Sequence, residues 1–343
     1  MKKILPVETN PLFKSSFETS VYFSIIKAQA ELNKKDITPW LICQMANYRF
    51  NCNSLRQFDI IKNENWYAGI KLFFKRDYLF DVRIPGWDKS KIREIIQLSI
   101  DNKRYVHIKA DAYYLKSDPA YKLIHIDVDC LIYGYDSEKE LFYYLQHRYN
   151  NPLDFYESSI SEMTEAACSR NCFRVNIDTL IYNRDFDFSF SEKTLYNSIY
   201  DFLNSTKQLI NVVPGNKEYY GLEAFEKLRD YLKSIANYND FLDWKVYSTF
   251  YDFQLASIYR CKFFLNNNYI ADSKIAKEVL YLSEISDTFL NKCKKYNFER
   301  NVHELAEIIE LFDLIVNSDV LISKTILKTI KELVSSSDII NLN

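Results

Sequence analysis

Glycine is scarce in this chain. Its 343 residues include only 5 glycines, whereas glycine makes up about 7% of an average protein. No GxGxxG or GxxxxGK[ST] sequence is present, and those are the loops in which backbone amides cradle phosphate groups. The scarcity argues against a nucleotide-binding fold, and we predict no cofactor.

Long apolar runs are also missing. No stretch approaches the ~20 apolar residues that span a bilayer, and the first residues, MKKILPVETNPLF, lack the apolar core and cleavage site of a signal peptide. The formal net charge is −2, so no strong field attracts nucleic acid or an anionic membrane. We expect a cytoplasmic protein whose partners include neither nucleic acid nor a membrane.

The seven cysteines are scattered and odd in number, unlike the dense, even set of a small disulfide-bonded domain. Free thiols in a reducing compartment are the simpler interpretation. Cys168 and Cys172 have a spacing that a metal could use, but no second Cys/His pair lies nearby to complete a tetrahedral site. We therefore predict no metal centre there, and we expect Cys43, in an apolar and aromatic run, to be a buried thiol.

Periodicity divides the chain into two parts. In the first part short strands and helices are mixed, and KLIHIDVDCLIYGYD (122–136) alternates strictly enough to predict a strand. The rest has a helical pattern, with candidate helices at 191–206, 219–236, 241–266, 272–296, 301–316 and near 320–336. We predict an α+β domain over 1–190 and an α-helical domain over 191–343.

The first predicted helix begins near Ser15. Ser15 is followed three residues later by Glu18, the capping-box pattern that satisfies free N–H groups at a helix start. Apolar residues then recur at spacings of four, four and three. This pattern makes Ser16 the first residue inside the helix.

Three motifs follow one another along the chain: NPLFKSSFETSVYFSI near the N-terminus, the strand segments AGIKLFF, YVHIKADAYYL and LIHIDVDCLIYGYD, and EYYGLEAFEKLRDYL (218–232). Together they resemble the family of butirosin biosynthesis protein H-like proteins. The resemblance implies a papain-like, C39-peptidase-like fold followed by helices, in nonribosomal-peptide-type antibiotic biosynthesis. It also implies acyl transfer or amide formation from a thioester on an acyl or peptidyl carrier protein.

The same resemblance implies a cysteine at the N-terminus of the first helix and a histidine six residues before Gly134. The cysteine position falls on Ser16, or on Ser15 if the alignment slips by one residue, and the histidine position falls on Val128. A shift of one residue would bring Asp127 or Asp129 to that position, and Asp129 resembles a residue that accompanies the family signature. The Cys/His pair that would activate a nucleophile is thus replaced.

Two functions remain open from the sequence. If the chain is an enzyme, it is an amide-forming acyltransferase, and Ser16 is the candidate nucleophile with Asp129 beside the Val128 position. Alternatively, it is a catalytically silent papain-like protein that binds a carrier protein, a homologous active subunit or a second copy of itself. His107 and His125 are further candidates, since their alternating strands could bring them together with Asp127 around a metal.

Overall fold

The computed structural model of the chain describes residues 1–15, 17–43, 46–51, 57–61, 74–81, 90–148, 151–169, 176–206, 218–238 and 240–336. The predicted α+β class is confirmed, because antiparallel strands and helices both contribute to the fold. Two compact units are present, one made of 1–35 with 68–186 and the other of 36–67 with 187–343. The second unit thus takes in 36–67, which the sequence-based division placed in the first domain.

The strands of the described residues are β1 (Lys2–Ile4), β2 (Asn47–Asn51), β3 (Gln57–Ile61), β4 (Phe74–Asp81), β5 (Tyr105–Asp111), β6 (Asp127–Asp136), β7 (Leu141–Arg148), β8 (Asn151–Ser159), β9 (Asn176–Tyr182) and β10 (Glu218–Tyr220). The helices are α1 (Phe17–Leu32), α2 (Thr38–Leu41), α3 (Ser90–Asp101), α4 (Ile160–Cys168), α5 (Glu192–Asn204), α6 (Gly221–Tyr238), α7 (Trp244–Asn266), α8 (Ser273–Glu299) and α9 (Val302–Ser336).

The first unit is built on an antiparallel sheet with the strand order β4-β9-β5-β6-β7-β8, and β1 pairs with the end of β6. Gly134 makes that last pairing possible, because a Cβ there would lie 2.7 Å from the carbonyl oxygen of Lys3. Helix α1 lies on the side of the sheet that carries Tyr105. The amide of Gln29 in α1 donates to the Tyr105 hydroxyl at 2.8 Å, and that hydroxyl donates to the Pro6 carbonyl at 2.6 Å.

The strand predicted at 122–136 is shorter than expected, since β6 begins only at Asp127. The partner strand β5 ends at Asp111, whose carboxylate accepts from the backbone N–H of Tyr113 and starts a short 3₁₀ turn over Ala112–Tyr114. Among the described residues, no strand pairs with 122–126, although the Ile126 carbonyl accepts from the Ala112 N–H at 3.0 Å. Leu123 is 80% exposed. Alternation in the sequence did not reveal where the partner strand ends.

The second unit contains helices α5 to α9 and the small sheet β10-β2-β3. Its core includes phenylalanine rings from several helices, with centroid separations of 4.9 to 6.1 Å. Phe225 of α6 contacts Phe250 of α7 and Phe312 of α9. Phe250 is fully buried and belongs to this aromatic core.

The last two predicted helices, 301–316 and 320–336, form one continuous helix, α9. Polar residues between the two predicted helices are bound by neighbouring helices. The Ser318 hydroxyl donates to Glu278 of α8 at 2.5 Å, and the Ser257 hydroxyl of α7 donates to Asp319. Among the described residues, no helix combines the length and apolar character needed to cross a membrane.

Candidate functional site

A histidine and two aspartates share the α1 side of the sheet in the first unit. Residues that pair across antiparallel strands project to the same face. His107 of β5 lies opposite Leu131 of β6 and opposite Asp178 of β9. Asp129 is two residues from Leu131 and is therefore on that same face. Tyr105, which hydrogen-bonds to α1, is two residues from His107 and shares the face as well.

His107 contacts all three elements around it. Its Nε2 lies 2.9 Å from Oδ1 of Asp129, and its Nδ1 lies 3.8 Å from Oδ2 of Asp178. The imidazole also stacks on the ring of Phe17, with centroids 5.3 Å apart and planes at 29°. His107 and Asp178 are buried, whereas one third of the Asp129 side chain is exposed.

The N-terminal end of α1 is thus beside a His–Asp pair. Phe17 is the first residue of α1, and Ser16, the predicted nucleophile, precedes it directly in the chain. Ser16 itself lies outside the described residues. Imidazole with a hydrogen-bonded carboxylate is the combination that accepts a proton from a nucleophile and holds the resulting charge.

Val128, the predicted histidine position, lies on the other face of the sheet. It pairs with Ala110 of β5, one residue out of step with Asp129. Counting back from Gly134 crosses a β-bulge, because Ile132 pairs with Tyr144 while Gly134 already pairs with Tyr143. The extra residue reverses the alternation, so an even count from Gly134 leads to the wrong face.

Sequence reasoning missed the pairing of His107 with Asp129. The family pattern pointed to a histidine on β6 itself, whereas the histidine beside Asp129 lies on the neighbouring strand β5. The signal that could have found it was the shared alternation of the two strands, but the register between them cannot be read from one sequence.

A second His–Asp cluster lies at the end of β5. Nδ1 of His125 is 2.7 Å from Oδ2 of Asp111, and the Ser169 hydroxyl donates to the same oxygen at 2.5 Å. Asp111 is fully buried, and its Oδ1 accepts from the backbone N–H of Tyr113 at 3.0 Å. His107 and His125 therefore bind different carboxylates, Asp129 and Asp111. The predicted metal cluster of His107, His125 and Asp127 does not form among the described residues.

The remaining sequence candidates are structural or incompletely described. Cys43 is buried, and its burial raises the pKa of the thiol to about 11. Cys172 lies outside the described residues. Within the part of the chain that the structure covers, no group of three His, Cys, Asp or Glu side chains is placed to hold a metal ion.

We expect the hydrogen bonds to Asp111 to make the free energy of unfolding decrease at low pH. Burial alone would raise the pKa of the Asp111 carboxyl, but hydrogen bonds from Ser169, His125 and the Tyr113 N–H outweigh it and hold the pKa below its ordinary value. A carboxyl with a lowered folded-state pKa stabilises the fold above the unfolded pKa of about 3.9, and this contribution is lost as pH falls through the folded pKa.

Replacing Asp111 with asparagine should therefore reduce stability at pH 7 and flatten the acid side of the stability profile. Urea unfolding midpoints between pH 3 and pH 7 measure both effects. Asp154, an exposed aspartate of β8, is the control position for asparagine substitution. An unchanged profile in Asp111→Asn would show that the network contributes nothing.

Comparison with known proteins gives no family for this chain, because no protein-family model and no curated protein matches it.

Proposed function

We propose that this chain is an amide-forming acyltransferase of specialised-metabolite biosynthesis, with a papain-like first domain. It would act in the cytoplasm on an acyl or peptidyl chain carried as a thioester by a carrier protein. One observation carries the proposal: the His107–Asp129 pair lies against the first residue of α1, directly after the serine that the family resemblance designates as the nucleophile.

The proposed chemistry divides among three groups of the chain. The hydroxyl oxygen of Ser16 attacks the thioester carbonyl while the imidazole of His107 accepts the hydroxyl proton. Asp129 holds the imidazole through Nε2 and stabilises the imidazolium. The carbon–sulfur bond breaks, the thiolate takes the proton from His107, and an acyl-serine ester remains.

An amine then completes the transfer. Its nitrogen attacks the ester carbonyl, His107 accepts the ammonium proton, and the proton returns to the Ser16 oxygen as the carbon–oxygen bond breaks. The products are an amide and the original serine. Backbone N–H groups at the N-terminus of α1 would stabilise the oxyanion in both steps.

The alternative function is a catalytically silent binding protein of the same pathway. The observation in its favour is that His107 is 8% exposed and its ring is stacked on Phe17, an arrangement that also serves packing. Such a protein would use the same face to bind a carrier protein, an active homologue or another copy of itself.

Intact-mass measurement with an acyl thioester and a primary amine tests the first function. We expect an acyl adduct or amide product with the wild-type chain, and loss of both with Ser16→Ala. Ser16→Cys should restore or increase adduct formation, because a thiolate is the stronger nucleophile. Ser137→Ala, in the turn between β6 and β7, controls for the loss of a hydroxyl.

Unchanged product formation in Ser16→Ala would remove Ser16 from the mechanism. Absence of adduct and product in wild type and in Ser16→Cys, together with measurable binding of a carrier protein, would replace the acyltransferase by the silent binding protein.

A further inference from the structure

Three tyrosine rings surround one ammonium group in the loop that follows β5. The Nζ atom of Lys122 lies 4.8 Å from the ring centroid of Tyr113, 5.2 Å from that of Tyr114 and 5.5 Å from that of Tyr121. All three distances are within the ~6 Å at which an aromatic ring attracts a cation. These three rings, which we call the tyrosine cage, form a cation site whose present occupant belongs to the same chain.

The walls of the tyrosine cage are fixed by contacts that do not involve Lys122. The Tyr113 ring stacks on His125, with centroids 4.2 Å apart, and packs edge-to-face on Tyr114 at 5.2 Å. His125 is in turn held by the buried carboxylate of Asp111. The backbone N–H of Tyr121 donates to the Asp118 carbonyl at 3.0 Å. A cage with independently fixed walls keeps its shape when its occupant leaves.

Lys122, in contrast, is a weakly held occupant. Its backbone N–H donates to the Tyr113 carbonyl at 3.0 Å, which keeps the residue beside the cage. Its side chain is exposed, and the cation–π contact of an exposed lysine changes a binding equilibrium by only roughly 2- to 5-fold. The side chain can therefore swing into solvent while the backbone stays in place.

We propose that the tyrosine cage is a binding site for an organic ammonium ion, and that Lys122 occupies it in the absence of that ligand. Methylated ammonium groups suit the site best, because they carry the charge with little hydration to lose and fill the space between aromatic faces. Leu123 and Ile124, which follow Lys122, are 80% and 56% exposed. Their exposed side chains offer an apolar surface that a hydrocarbon chain of the ammonium ligand could cover.

Isothermal titration with choline, without any acyl donor, tests this site separately from the proposed acyl transfer. We expect Lys122→Ala to bind choline roughly 2- to 5-fold more tightly than wild type, because the competing internal cation is gone. Lys116→Ala should bind as wild type does, since Lys116 is an exposed lysine nearby that pairs with Glu162 instead. The neutral isostere 3,3-dimethylbutan-1-ol should bind no variant.

Removing a cage wall provides the second measurement. The double variant Lys122→Ala with Tyr114→Leu should bind choline much more weakly than Lys122→Ala alone. Its circular dichroism and unfolding midpoint should stay close to those of Lys122→Ala. The proposal is overturned if Lys122→Ala and Lys116→Ala bind choline equally, if the neutral isostere binds as well as choline, or if the double variant retains full affinity.

Discussion

Replacement of Arg260 by alanine is expected to lower the free energy of unfolding by about 3–5 kcal/mol, the usual cost of removing a large, fully buried side chain. Arg260 is 1% exposed, and Asp319 is fully buried. Burial lowers the pKa of the Arg260 guanidinium to about 10, against the opposing charge of Asp319. The guanidinium Nε also donates to the Ile42 carbonyl at 3.0 Å. Alanine would remove both interactions from the interior of the second unit.

The size of this loss should depend on pH through Asp319. Burial raises the pKa of its carboxyl to about 6, although the Ser257 hydroxyl and Arg260 oppose the shift. Between the unfolded pKa of about 3.9 and this value, the folded chain holds a proton that the unfolded chain releases, so the contribution of Asp319 to stability falls as pH rises. At pH 5 the carboxyl is mostly neutral and needs its partner less than at pH 8.

Urea unfolding at pH 5 and pH 8 measures both effects. We expect Arg260→Ala to lose more stability at pH 8 than at pH 5. The double variant Arg260→Met with Asp319→Leu should recover most of the loss at both values, because well-packed apolar side chains often replace buried charged ones without cost. An Arg260→Ala chain with the wild-type midpoint at pH 8 would show that the buried guanidinium does not stabilise the fold.

Replacement of His107 by alanine is expected to reduce acyl transfer by about 10²- to 10⁴-fold, the usual contribution of a positioned general base. The imidazole stacks on Phe17 at the start of α1, and Asp129 fixes its orientation through Nε2. Asp129→Asn keeps the shape of that partner while removing its charge. It should therefore reduce the rate constant for transfer more than it changes the apparent affinity for the acyl donor.

Two further variants separate chemistry from folding. His107→Gln fills more of the buried space than alanine does and should show the same loss of activity with a smaller change in the unfolding midpoint. His303→Ala, at an exposed position of α9, should retain full activity. Equal activity of His107→Gln and wild type would exclude His107 as the base and favour the silent binding protein.

The helices were easier to predict than the strands. Most predicted helices of the second unit correspond to α5, α6, α7 and α8 with end shifts of a few residues, because an apolar stripe at helical spacing is a local signal. The division of α9 was wrong because Ser318 and Asp319 are bound by residues far away in sequence, Glu278 and Ser257.

The sheet shows the same limit at the candidate site. The strand carrying Asp129 was predicted, and its alternation correctly separated Asp129 from Val128. The bulge beyond Ile132 and the register with β5 were not predictable, because both depend on which strands pair. Val128 lies on the face opposite Asp129, and His107 lies on β5, which a count along β6 does not reach.

By itself, the sequence determined the α+β class, the positions of most helices and the burial of Cys43, since composition and periodicity follow from which residues avoid water. Only the tertiary structure decided which charges meet. Asp129 and Asp178 lie near His107, Asp111 binds His125, and Arg260 lies in the interior with Asp319. The physical reason is that strand register and helix packing bring together residues that are far apart in the sequence, and no local sequence pattern indicates that they will be in contact.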